Sequence, residues 1–188
     1  VLADFINPIS DSYLVSYNAN ILKFLILICF FITILTPAIY VAMVNYNQET
    51  IPSNLLTSFI TQKQGVPFPA AIEAFFMLFI CEMLRESDIR FPNNYSSSIS
   101  ILGALILGDA AVSANIVSPI TIIVISLTFI SSMIFSNVEL SGAIRIWRFI
   151  CLAIASFWGL FGVAIGFIFL IVDLCSYNSF NLDYTFPV

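Results

Sequence analysis

The sequence predicts an all-α polytopic membrane protein with about five transmembrane helices. Two observations carry this. Residues 24–48, 110–138 and 149–172 contain no Asp, Glu, Lys or Arg, and 91–108 adds a further uncharged run that ends at Asp109. The composition is equally one-sided, 60% hydrophobic and 9% charged with a mean hydropathy of +1.03, where a soluble domain carries about 25% charged residues. A hydrocarbon layer is crossed by about 20 apolar residues. Inside it every backbone N–H and C=O must find its partner within the protein, so such runs become helices.

By length the 188 residues make a single membrane domain. Residues 1–21 form an entry segment with Asp4, Pro8 and Asp11 but no basic region ahead of an apolar core, unlike a signal peptide. The chain starts at Val1 and reads as the C-terminal part of a longer protein. Residues 22–46 are the first expected span, kinked at Pro37. Residues 47–66 are a polar connector with Glu49, Pro52, Lys63 and Gly65, and 51–60 within it suits a short interfacial helix. Residues 67–87 open on Pro67 and Pro69, which suit a first helical turn. This short helix carries Glu73 and Glu82. If 68–84 is re-entrant or interfacial, the span count falls to four.

Residues 98–117 are rich in small side chains. Gly103, Ala104, Gly108 and Ala111 are candidates for close helix packing. Ser118-Pro119 marks a break before the next expected span, 119–136. Residues 137–148 are amphipathic, with Arg145, Trp147 and Arg148 placed as interfacial residues. The expected last span is 149–172, where Gly159, Gly162 and Gly166 offer another close-packing face, and 173–188 are a polar tail. Cytoplasmic loops favour Lys and Arg. With five spans Lys23, Arg85, Arg90, Arg145 and Arg148 share one side and Lys63 lies opposite; with four, Lys23 and Lys63 trade places. Charge alone does not choose.

Function therefore reduces to the ionisable groups at membrane depth. Glu73 and Glu82 are nine residues apart, which sets them on opposite faces of a helix. Glu73 suits either the positive end of its own helix or a water-filled path. Glu82, Arg85, Glu86 and Arg90 are spaced for an ion-pair ladder, at a solvated helix end or at the mouth or gate of a pore. Asp109 is a functional candidate by its position, unless a neighbouring Ser or Thr satisfies it or its segment stays shallow.

Several chemistries are excluded. The chain has no histidine, so rhomboid-type serine catalysis lacks its base. Gly108-Asp109 lacks the Gly-x-Gly-Asp pattern of intramembrane aspartyl proteases, since residue 106 is Ile. Cys29, Cys81, Cys151 and Cys175 have no metal-ligand spacing and read as reduced thiols. No metal, cofactor or enzyme activity is expected, and no basic run suggests nucleic acid.

A series of short motifs is familiar in its order. It runs Thr36-Pro37-Ala38-Ile39-Tyr40, Ile51-Pro52-x-x-Leu55, Val66-Pro67-Phe68-Pro69, Glu73, Glu82-Met83-Leu84-Arg85-Glu86 and Arg90-x-Pro92. It continues through Ile101-x-Gly103-Ala104-Leu105-x-x-Gly108-x-Ala110-Ala111-Val112, Val117-Ser118-Pro119 and Ala143-x-Arg145-x-x-Arg148-Phe149. Leu174-Cys175-Ser176, Ser179-Phe180 and Tyr184-x-x-Pro187 close it. In this order the chain resembles the membrane domain of the GerA-type spore germinant receptor A subunit.

The resemblance implies a role in breaking dormancy from the inner spore membrane. It implies a homo-oligomer that works with a transporter-like B subunit and a lipoprotein C subunit. The family's large soluble N-terminal domain is missing from this chain, and its cytoplasmic location favours five spans with the N-terminus inside. A helix dense in Gly and Ala, with acids nearby, suits a nutrient-gated path for monovalent cations across the lipid bilayer. On that expectation Glu73, Glu82, Arg85, Glu86 and Asp109 are the pore or gate candidates. The alternatives are a secondary-transporter subunit and a non-conducting signalling or scaffold subunit.

Overall fold

A computed structural model describes residues 16–90, 96–135, 138–176, 178–179 and 182–183. Most of the expected entry segment, Pro92 of the Arg90-x-Pro92 motif, the Ala104 side chain and most of the tail lie outside the described residues. The elements are α1 (Ser16–Asn45), a 3-10 turn (Gln48–Thr50), α2 (Ser53–Lys63), α3 (Ala70–Arg90), α4 (Ser96–Ser113), α5 (Pro119–Ser132) and α6 (Val138–Ser176). A two-residue antiparallel ladder, β1 (Asn178–Ser179) with β2 (Leu182–Asp183), follows.

Local chemistry sets most boundaries. Proline opens helices because its missing N–H is not needed in the first turn. Accordingly α2 follows Pro52, α3 follows Pro69 with the Ile72 and Glu73 amides on Pro69 O, and α5 starts at Pro119. Beyond α4, Asn115 takes φ 53 and the Ile116 amide returns 3.0 Å to Ala111 O. A left-handed residue past the end of a helix lets the last carbonyls be satisfied in this way.

Helix α6 is two helical segments joined at a non-helical residue and is not one rod. Gly159 stands at φ 60 and ψ −141, outside the helical basin. A straight helix would hold residues 151 and 166 about 22 Å apart. Instead a Cβ built on Gly166 would lie 3.2 Å from Cys151 Sγ. The chain reverses at Gly159 into two antiparallel arms, 138–158 and 160–176. The run expected as a single last span, 149–172, is thus split across both arms of a hairpin. The C-terminal end of α1 clasps the turn. Tyr46 donates to Ser156 O at 2.7 Å, the Leu160 amide donates to Asn47 Oδ1 at 3.4 Å, and a Cβ on Gly159 would meet Tyr46 Cβ at 2.8 Å.

The rods alternate in direction. Tyr46 of α1, Glu73 of α3, Ser118 before α5 and the Gly159 turn lie at one end of the bundle. The beginnings of α1, α4 and α6 and the end of α3 lie at the other, where Phe30 meets Phe135 and Leu84 meets Gly103. One apolar cluster joins α1 to the hairpin through Ile34, Ala38, Cys151, Ala155 and Leu170, with Phe135 beyond the end of α5 added to it. A second joins α1, α3, α5 and the hairpin through Val41, Ala74, Leu78, Ile125 and Leu152. The outer surface is as apolar as the core, with Phe24, Ile123, Phe157 and Phe161 all largely exposed, far beyond what a soluble monomer shows.

By length and composition, Ile21–Asn45 and Glu139–Ser176 suffice to cross a membrane, and Pro119–Ser132 is a shorter apolar helix. The second of these is the hairpin. The expected five crossings are therefore not established. Helix α3 falls short because it carries Glu73, Glu82, Arg85 and Glu86.

The turn residue is testable. Gly159→Ala should destabilise the protein by about 1–3 kcal/mol, since it forces a side chain into a left-handed position against Tyr46. Gly142→Ala, with no atom within 4 Å of the new Cβ, should be neutral or gain about 1 kcal/mol. Unfolding in detergent micelles measures both.

Candidate functional site

Two acids of α3 are buried, and each is met by different helices. Glu73 has no exposed side-chain surface. Its Oε2 accepts from the Ser118 backbone N–H at 2.9 Å and from Thr121 Oγ1 at 3.0 Å. Thr121 in turn shares hydrogen bonds with Ser118 Oγ at 2.7 Å and Tyr40 OH at 2.8 Å. The carboxylate thus caps the N-terminus of α5, where unpaired amides and the helix dipole favour negative charge. It does not serve the start of its own helix. Its Oε1 has no hydrogen bond and faces Lys63 Nζ of α2 at 3.7 Å.

Glu82, about 13 Å further along α3, meets the first arm of the hairpin. Its Oε1 pairs with Arg148 Nη2, whose side chain is 1% exposed, and its Oε2 lies 2.8 Å from Arg145 Nε without hydrogen-bond alignment. Arg145 Nη1 also reaches Glu86 Oε2 at 3.5 Å. Arg85 donates to Ser132 Oγ of α5 and to Ser141 Oγ of the hairpin at 3.1 Å, with its guanidinium 5.6 Å from the Phe129 ring centre. The group holds two carboxylates and three guanidinium ions in one seam, buried at Glu82 and Arg148 and open to the outside at Glu86.

Of the expected ladder, Glu82, Arg85 and Glu86 reach α5 and the hairpin, and the Arg90 side chain lies outside the described residues. Arg148, expected as an interfacial residue, is buried within the bundle, where Glu82 gives its charge a partner. Arg145 is partly exposed beside it, and Trp147 packs on the core of α1 and the hairpin.

Asp109 joins neither cluster. It is exposed on α4, and no described residue pairs with it. It borders an apolar cleft of about 720 Å³ between α3, α4 and α5, lined also by Met77, Leu84, Ile122 and Phe129. Among the small residues, Gly103 faces Leu84 of α3, Gly108 faces Ile122 of α5 and Ala111 packs on the second core. Gly162 faces back onto Ile154 O and Gly166 onto Cys151, while Gly159 is the turn itself.

Sequence reasoning missed Tyr40, Lys63, Ser118, Thr121, Ser132 and Ser141. The available signal was hydroxyl groups inside apolar runs, which must find partners once buried.

The seam yields a prediction. Glu82→Gln leaves buried guanidinium charge without its counterpart and should cost about 3–5 kcal/mol. Glu82→Leu combined with Arg148→Met should cost far less than the sum of the single changes, as read from a double-mutant cycle of unfolding free energies.

The chain spans 34% of the uncharacterized membrane protein YfkQ of Bacillus subtilis (strain 168), to which it is 40% identical over 93% of its own length. It is 37% identical over its whole length to spore germination protein KA of the same organism, and 35% identical to spore germination protein GerLA of Bacillus cereus. It covers 35% and 38% of those two proteins. No solved structure matches it. The family described as Bacillus/Clostridium GerA spore germination protein matches residues 1–188, and the chain belongs to that family.

Proposed function

We propose that this chain is the membrane-embedded part of a spore germination receptor subunit. In this reading several copies enclose a nutrient-gated path for monovalent cations in the inner spore membrane, working with the B and C subunits that the family resemblance implies. The observation that carries the path is Asp109. A carboxylate facing lipid is costly, and this one lies exposed on a helix with no other charged residue and has no partner among the described residues. Water in a shared path, or a neighbouring copy, relieves that cost. A fixed negative charge in such a path favours cations. The small residues of α4 suit close approach of helices.

The alternating rods support an even number of crossings, with Ser16 of α1 and Ser176 of α6 on one side. Lys23, Arg85, Arg90, Arg145 and Arg148 belong to that half of the bundle and Lys63 to the other, so the positive-inside tendency puts that half on the cytoplasmic side. Glu73 and Glu82 are sealed within the chain, which favours a structural or signal-carrying task for them. That burial also supports a second reading, a subunit that passes the signal without conducting.

Ion flux through the reconstituted, intact receptor separates the two. Asp109→Asn should reduce nutrient-evoked potassium flux and its preference over chloride several-fold, with subunit abundance unchanged. Unaltered flux and selectivity would remove Asp109 from the path. Absence of nutrient-evoked flux in the unmodified receptor would leave the non-conducting reading.

A further inference from the structure

A cleft of about 430 Å³ lies between α1 and the two arms of the hairpin, and neither acid cluster contributes to it. Phe30 and Ile34 of α1, Ile144 of the first arm and Leu170 of the second form its buried floor. Along the first arm it runs from Leu140 to Trp147, about 10 Å of helix. Ala143 is exposed at its rim, so the cleft opens on the outer surface of the bundle. Its volume falls within the range of about 300–1,000 Å³ of small-molecule sites.

Two polar groups stand in this apolar lining. Asp173 is half-buried, and no described residue forms an ion pair or hydrogen bond with it. The Trp147 indole N–H, which can only donate, likewise has no described acceptor. Neither group is among the buried polar atoms that lack partners, so both are reached from outside. Cys151 and Gly166 are neighbours across the hairpin. Trp147 and Leu170, each four residues further from the turn, therefore share a level, and Asp173 follows within one helical turn. A donor and an anion thus lie close in height along one greasy cleft.

We infer that this cleft binds one phospholipid with an ethanolamine headgroup. An acyl chain covers the apolar floor, a phosphate oxygen accepts from the Trp147 N–H, and the primary ammonium pairs with Asp173. Charge complementarity selects this occupant. A half-buried carboxylate without a counter-ion favours a cation, and an ammonium beside it makes charge-assisted hydrogen bonds. A phosphatidylglycerol headgroup brings net negative charge against Asp173, and a choline headgroup has no N–H to donate. Tryptophan, apolar in body and polar at one edge, suits the headgroup level. The inference goes beyond the cation-path reading and does not rest on it: the chain must lie in a bilayer, but need not conduct.

The test is native mass spectrometry of the full-length subunit, released from nanodiscs that hold phosphatidylethanolamine, phosphatidylglycerol and phosphatidylcholine in equal amounts. The unmodified subunit should retain one phosphatidylethanolamine per chain, several-fold over either competitor. Equal retention of the three lipids, or a preference for another of them, overturns the inference without any variant. Asp173→Asn should abolish the preference, while Glu139→Gln, an exposed acid of the first arm outside the cleft, should keep it. Ala143→Phe, which places a ring at the rim, should lower retention of the bound lipid several-fold. Thermal unfolding of each variant checks that it is folded. An unchanged preference in folded Asp173→Asn would contradict the assigned ammonium site, and unchanged retention in folded Ala143→Phe would contradict the cleft.

Discussion

A carboxylate cut off from water must be met by donors or by a cation, and α3 carries two of them into the middle of an apolar bundle. The rest of the architecture can be understood from how that demand is met. Glu73 collects the start of α5 and the lysine of α2 directly, and the tyrosine of α1 through Thr121. Glu82 collects the hairpin through two arginines. Apolar contact alone holds helices together weakly and without direction in lipid, since the alternative neighbour is equally apolar. Buried charge pairs are directional, and a shift in helix register that separates them leaves uncompensated charge. The two acids therefore define which helices are neighbours and at what height.

The hairpin has a different origin. It depends on one residue that tolerates a left-handed backbone and on the end of α1 closing over it. Tyr46 and Asn47 supply a donor and an acceptor at the turn, where a reversing helix would otherwise leave backbone groups unpaired. The exposed Phe157, Trp158 and Phe161 sit beside this turn, and tryptophan, with its polar N–H, favours the boundary between hydrocarbon and headgroups.

Much of this was legible in the chain. The uncharged runs marked the helices, prolines marked their starts, and a spacing of nine residues separated the faces of Glu73 and Glu82. The partners were not legible, because each lies 45 or more residues away from its acid in the case of Ser118, Thr121 and Arg148, and no local pattern encodes such a meeting. Gly159, Gly162 and Gly166 look alike as a small-residue stripe. Only the backbone angles tell that the first is a turn and the others are contact points. Arg148 reads as interfacial because a charge beside tryptophan at the edge of an apolar run ordinarily is; its burial against a carboxylate of another helix has no local signal.

The most direct measurement is carboxyl footprinting of the intact receptor in lipid, using a water-soluble carbodiimide and an amine tag read by mass spectrometry. The account predicts rapid modification at Asp109 and protection at Glu73 and Glu82 until the protein unfolds. Modification of Glu82 as fast as that of Asp109 would mean that the seam to the hairpin is open to water, and the central claim of sealed, partnered acids would fail.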